Sequence, residues 1–152
     1  MILITGINGE MGTALIKRLS NIQNDKIIGI DIAQAKKKIL PLLNKSYVGD
    51  IRDQKLLDKV FSQNKISTIY HLAAILSTKA ESDPFFSHQV NVDGFLNLIN
   101  KIKINKKPVK FFFPSSIAVY FLKDNSKTVI ESDFCVPNNI YGCNKLYCEQ
   151  LG

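Results

Sequence analysis

The sequence is poor in the features that mark membrane, secreted and modular proteins. No apolar run is long enough to span a bilayer, the start carries no signal-peptide pattern, and no Gly/Ser-rich or Pro-rich linker divides the chain. These absences predict one cytoplasmic domain over residues 1–152 with no membrane partner. Cysteine is scarce: Cys135, Cys143 and Cys148 are odd in number and lack metal-ligand spacing, so no disulfide framework and no metal site is expected, and the thiols read as reduced. No internal repeat is visible. Acidic residues are outnumbered, 13 against 20 Lys and Arg, for a net charge of +7. The basic excess is dispersed, with Lys36-Lys37-Lys38 and Lys106-Lys107 as short clusters and no interleaved aromatics, which argues for solvated faces and against a nucleic-acid partner. Core material is plentiful: 45% of the 152 residues are hydrophobic, enough for a domain burying about 70% of its unfolded surface.

The chain is organised around its opening. An apolar run, Ile2-Leu3-Ile4, delivers Thr5-Gly6-Ile7-Asn8-Gly9-Glu10-Met11-Gly12 into a helical stretch with Leu15, Ile16 and Leu19 on one face. Gly6 suits the tight turn off the strand, Gly9 has no Cβ to hold a pyrophosphate away, and Gly12 lets helix and strand lie close. The helix start, with Asn8, Glu10 and Met11, presents free N–H groups to phosphates. The spacing G-x-x-G-x-x-G also occurs in ordinary strand-to-helix turns, so a second feature is needed. Lys26 to Asp31 reads as the next strand and ends in an acid 19 residues beyond Gly12. A carboxylate there accepts from ribose hydroxyls and repels a 2′-phosphate, with no compensating Arg beside it, which favours NAD over NADP.

A basic segment with a short helix then leads to a third strand, Ser46 to Val48, and to Asp50 and Ile51, which could meet the amino group and the face of an adenine. Asp53 is part of that group, the N-cap of a helix running to about Asn64, or both. A fourth strand over Ser67 to Leu72 ends in Ala73-Ala74, small residues that let backbone lie against a ribose or phosphate. Pro84 opens a long predicted helix, Phe85 to Lys103, with Phe85, Val92, Phe95, Ile99 and Ile102 at helical spacing and Asn91 within it. Val109 to Phe113 is a fifth strand followed by Ser115 and Ser116. Residues 121–138 read as a loop over the site, and a last helix begins near Asn139. Strands alternating with helices imply a doubly wound parallel sheet in the order 3-2-1-4-5, whose ligand crevice lies where the order reverses.

The last helix places Tyr141 and Lys145 four residues apart, on one face. A phenol with a reference pKa of about 10 is a weak base at neutral pH, but a neighbouring ammonium favours its ionised form. With a hydroxyl at the end of the fifth strand and a cofactor loop at the start, the pair reads as a proton acceptor.

These pieces, Thr5-Gly6-x-x-Gly9-x-x-Gly12, Asp31, Asp50-Ile51, His71-Leu72-Ala73-Ala74, Asn91, Ser115-Ser116 and Tyr141-x-x-x-Lys145, resemble the extended short-chain dehydrogenase/reductase family of NAD-dependent epimerases and dehydratases. The stretches Ile75 to Pro84 and Pro114 to Tyr120 are most similar to the short-chain L-threonine 3-dehydrogenases. The resemblance implies a Rossmann-like fold and NAD as cofactor. By position it implies that Tyr141 takes the substrate proton, Lys145 holds the nicotinamide ribose, Ser116 bonds the reacting oxygen and Ser77 touches substrate. It also implies an amino acid or a nucleotide sugar as substrate, and a homodimer through the helices near 85–103 and 139. Phe121 and Asn144 depart from the family, which has Gly and Ser or Thr there. The chain stops seven residues after Lys145 where family members continue into a substrate domain, so the expectation is a cofactor half, weakly active or inactive alone, with a remnant that binds only NAD or a subunit as the alternative.

Overall fold

The structure, a computed structural model, describes residues 1–22, 25–105, 108–121 and 128–152. The Lys106-Lys107 cluster and residues 122–127 of the predicted loop lie outside the described residues. The chain forms two compact units, Met1–Ala74 with Gly94–Pro114, and Ile75–Asp93 with Ser115–Gly152.

The first unit holds strands β1 (Ile2–Thr5), β2 (Ile27–Asp31), β3 (Lys45–Val48), β4 (Thr68–His71) and β5 (Lys110–Phe112) in one parallel sheet of order β3-β2-β1-β4-β5. β1 is central and wholly buried, its Thr5 in register with Ile30 on one side and His71 on the other. Continuous apolar runs such as Ile2-Leu3-Ile4 suit this position, because a central parallel strand is covered on both faces. Leu3, Ile4, Ile28, Ile30 and Ile69 are fully buried, each worth about 1.5–3 kcal/mol against exposure. Helix α1 (Glu10–Ile22) buries Gly12, Thr13, Ile16 and Leu19 at helical spacing. Helix α2 (Gln54–Gln63) starts where Asp53 accepts from the Lys55 and Leu56 amides at 2.9 and 3.2 Å, so the N-cap role holds. The short helix expected before β3 is one 3₁₀ turn, Leu40–Leu42. Strand alternation sends Phe111 and Phe113 toward Phe95, at 5.5 and 5.0 Å between ring centroids, and leaves Phe112 half exposed against Tyr70.

The long helix predicted over 85–103 is three pieces. The second unit contains α3 (Ser77–Ser82), α4 (Pro84–His88) and a π-helical turn, Gln89–Asp93; beyond it the chain continues as α5 (Gly94–Asn105) in the first unit. Asp83 caps α4 by accepting from the Phe86 amide, with Pro84 at the first helical position. Phe85 is exposed, contrary to the predicted apolar stripe. The π turn places Val90, Asn91 and Val92 in the interior together. The unit is completed by a 3₁₀ turn, Ile117–Val119, and by α6 (Ile140–Leu151). Among the described residues no helix is long and apolar enough to cross a membrane.

Candidate active site

In the first unit, Gly6 has φ +70°, and a Cβ there would stand 2.8–2.9 Å from the main chain of Leu72 and Ala73. A Cβ on Gly12 would lie 2.3 Å from the Gly6 carbonyl oxygen. Both glycines are therefore demanded by close backbone approach. Gly9 differs: a Cβ would meet only the Gly6 oxygen, at 3.3 Å, so its outer side is open. The Gly9 amide donates to Gly6 and the Thr13 amide to Gly9, which leaves the first-turn N–H groups of Glu10, Met11 and Gly12 outside the helix's own ladder. An open glycine backed by these donors fits a pyrophosphate. Met11 and Glu10 are exposed beside it.

The carboxyl end of β1 is held by one hydroxyl. Thr5 Oγ1 accepts from the Leu72 and Ala73 amides, both at 3.2 Å, and lies 2.7 Å from His71 Nδ1. A hydroxyl has two acceptor sites and one proton; with both sites taken, the proton goes to His71, whose neutral ring then carries its own on Nε2. That ring is buried among Phe95, Phe111 and Phe113. Thr5 and His71 thus fix Leu72, Ala73 and Ala74 against Gly6, a role the motif reading had not given them.

Asp31 accepts from the Asn8 amide at 2.9 Å and from Ala33 at 3.1 Å, one on each oxygen, and keeps acceptor capacity for two ribose hydroxyls. A cation stands nearby after all: Lys36 donates from Nζ to the Asn8 carbonyl at 2.5 Å, and the Asn8 side chain ties Ala33, Gln34 and Lys36 into the same loop. Asp50 is gripped by Arg52 at 2.7–3.1 Å, which holds its carboxyl below the ordinary value. Ile51 is buried against the bare face of Gly94, so its side chain serves the core where cover for an adenine was expected.

The second unit gathers the groups suited to hydroxyl chemistry. Ser116 accepts from the Ala118 amide at 3.2 Å, and its hydroxyl is the group that lowers the Tyr141 phenol. Lys145 Nζ lies over the Tyr141 ring, 5.6 Å from its centroid. Burial pushes Tyr141 up and Ser116 opposes the rise; the ammonium, expected to activate the phenol, is not among the influences on it in the chain by itself. Lys145 is itself 4% exposed, and burial brings it down to about 8 against the pull of Cys148 and Glu149. Gly142 lets α6 approach the Ala118 carbonyl, and Glu81 and Asn139 cap its first turn by accepting from Ile140 and Gly142. Ser77 opens α3 and is exposed, as is Ser115. Asn91, expected at the cofactor, is 3% exposed and spends its amide on Ile75, accepting from N at 2.7 Å and donating to O at 3.0 Å. Among the described residues no cluster of His, Cys, Asp or Glu is placed to hold a metal.

A parallel sheet reversing between β1 and β4, with a glycine loop after β1 and a terminal acid on the neighbouring β2, defines a dinucleotide-binding α/β protein. The chain belongs to the NAD dependent epimerase/dehydratase family, whose model matches residues 2–152. NAD is the cofactor of that family. A D-erythronate dehydrogenase of Haemophilus influenzae is 32% identical over 156 residues, covering 99% of this chain and 48% of the relative. Among solved structures, a monomeric L-threonine 3-dehydrogenase from a metagenome has 35% identity and a TM-score of 0.86, over 99% of this chain and 47% of that one. A UDP-glucose 4-epimerase has 31% identity and a TM-score of 0.88, over 99% and 45%. The chain thus spans about half the length of the relatives it matches.

Proposed function

We propose that this chain binds NAD and serves the oxidation of a secondary alcohol on a small molecule, in the manner of an L-threonine 3-dehydrogenase. The observation that carries the reading is the group of Ser116, Tyr141 and Lys145 in the second unit, the first two half-buried and Lys145 buried. Asp31 holds the adenosine ribose, the Gly6 to Gly12 loop the pyrophosphate, and Lys145 the nicotinamide ribose. NAD supplies the hydride acceptor and a cationic ring. Tyr141 takes the hydroxyl proton onto its phenolic oxygen while Ser116 fixes the reacting oxygen, and Ser77 contacts the substrate. Because burial raises the Tyr141 pKa in the chain by itself, its work as a base depends on positive charge brought in with the cofactor. A nucleotide-sugar epimerase is the second reading, supported by the equal structural likeness to the UDP-glucose 4-epimerase. Calorimetric titration with NAD and NADP tests the cofactor assignment, with NAD expected to bind at least about tenfold tighter, a difference of about 1.4 kcal/mol. Tighter binding of NADP would overturn the role of Asp31. NADH formation with L-threonine, abolished in Tyr141→Phe, tests the chemistry; activity that survives that substitution refutes it.

A further inference from the structure

Helix α6 carries two adjacent stripes. Tyr141 and Lys145 form one, and Asn144 and Cys148, again four residues apart, form the other. The second stripe has no part in the chemistry above, yet it is buried: Asn144 is 5% exposed and Cys148 1%. Asn144 donates from Nδ2 to Ser87 Oγ at 3.3 Å, and Asn91 donates from Nδ2 to the same oxygen at 3.3 Å. Ser87 is completely buried, and two amide donors fill both acceptor sites of its hydroxyl. Asn91 spends its remaining donor and its oxygen on the main chain of Ile75, and its own carbonyl receives Cys148 Sγ at 3.5 Å. One buried oxygen therefore joins α4, the π turn, the chain at Ile75 and α6. The π turn makes this possible, since its extra residue rotates Asn91 inward alongside Val90 and Val92.

We propose that Ser87 and Asn144 are a positioning pair for Lys145: their hydrogen bond sets the depth and rotation of α6, and with it the place of the ammonium on the neighbouring stripe. This deepens the reading of Tyr141, Ser116 and Lys145 as the working group and rests on it. A rigid helix transmits the constraint directly, because Asn144 and Lys145 are consecutive. Loss of the Ser87 oxygen leaves two amide donors buried without an acceptor, whereas loss of the Asn144 amide removes the link that holds α6 to α4; in either case α6 is free to rise toward solvent. Burial acts on Lys145 first, then Cys148 and Glu149 on α6, and the Tyr141 ring lies beneath it; substitution at 87 or 144 alters none of these three side chains.

The test follows the Lys145 ammonium by NMR titration of labelled lysine side chains in the full chain. It needs no substrate, so its outcome is independent of whether the chain turns anything over. Lys145 should titrate near 8 in the parent chain and move up toward the ordinary lysine value by about one unit or more in Asn144→Ala. Ser87→Cys, nearly isosteric and a poor acceptor, should give a similar shift while leaving the fold intact, and the double substitution should add little to either. Ser87→Thr, which keeps the hydroxyl, should restore the parent value. A Lys145 titration unmoved by folded Ser87→Cys, or shifts that simply add in the double variant, would overturn the pairing.

Discussion

Replacement of Gly142 by alanine isolates how closely α6 must lie to the turn that carries Ser116. In an exposed helix the change would stabilise by roughly 1 kcal/mol through propensity. Here an added Cβ would stand 2.1 Å from the Ala118 carbonyl oxygen and 2.9 Å from its carbon, where ordinary contact begins at 3.4 Å, so the two must part by about 1.3 Å. The obstacle is backbone, and Ala118 is tied to Ser116 by an amide-to-hydroxyl bond within the 3₁₀ turn, so the retreat takes Ser116 with it. Overpacking of this kind costs about 1–3 kcal/mol, and set against the propensity gain it leaves a net loss of up to about 2 kcal/mol. For a chain of this size that corresponds to a melting temperature lower by up to about 8 °C. Ser116 is the influence that holds the Tyr141 phenol down, so its withdrawal should raise the Tyr141 titration further, and a displacement near 1 Å should cost turnover about 10²-fold. Thermal unfolding and tyrosine NMR titration measure the two effects. A Gly142→Ala chain that melts at or above the parent, with Tyr141 titrating unchanged, refutes the packing argument.

Two further outcomes are expected. Lys145 releases its proton near 8 when folded and near 10.5 when unfolded, so between those values the unfolded chain binds more protons and stability rises with pH, by about 3 kcal/mol in all. Cys148, raised to about 11, acts in the opposite sense above 9, but does so in Lys145→Met as well; in urea denaturation the parent should therefore gain on that variant from pH 8 to 10.5, and a constant difference refutes the burial of the charge. We also expect a homodimer, because α6 leaves Tyr147 and Leu151 about half exposed and β5 leaves Phe112 so; a clean monomer in light scattering at micromolar concentration rejects it.

The sheet was legible because its signals are local. Ile2-Leu3-Ile4, Ile27 to Asp31 and Thr68 to His71 are short runs rich in β-branched and aromatic residues or Leu, bounded by turn residues, and their alternation with helices leaves few topologies. The glycine loop was legible because Gly6 and Gly12 answer backbone demands that any other residue violates, and Gly9 keeps the outer side between them open. Other features depend on distant partners. Ser87 and Asn144 meet across 57 residues, and Glu81 reaches Ile140 across 59, so neither pattern shows in a window of neighbours. The π turn was hidden for the same reason, since Phe85 to Lys103 has helical spacing throughout and only Asn91's grip on Ile75 reveals the added residue. Ser77 to Ser82 is too short to establish a period of 3.6. The packing of the Ile51 side chain was not legible, because an apolar residue beside a cofactor loop and one packed on Gly94 look identical in sequence.

Asp31 faces two ways, and this ties together traits that are usually discussed apart. Its oxygens receive the amides of Asn8 and Ala33, so the group to which we assign dinucleotide preference also shapes the turn we propose for the pyrophosphate. A lineage, or an engineer, exchanging it for a small neutral residue to admit a 2′-phosphate would leave those two donors without their acceptor, at about 1–3 kcal/mol for each one kept from water. Altered preference would then arrive with a loosened loop and weaker affinity for either nucleotide. A successful switch has to begin elsewhere, with a new acceptor for Asn8 and Ala33 in place before the carboxylate is given up, and Lys36, already bonded to Asn8, stands ready as the cation that such a switch would recruit.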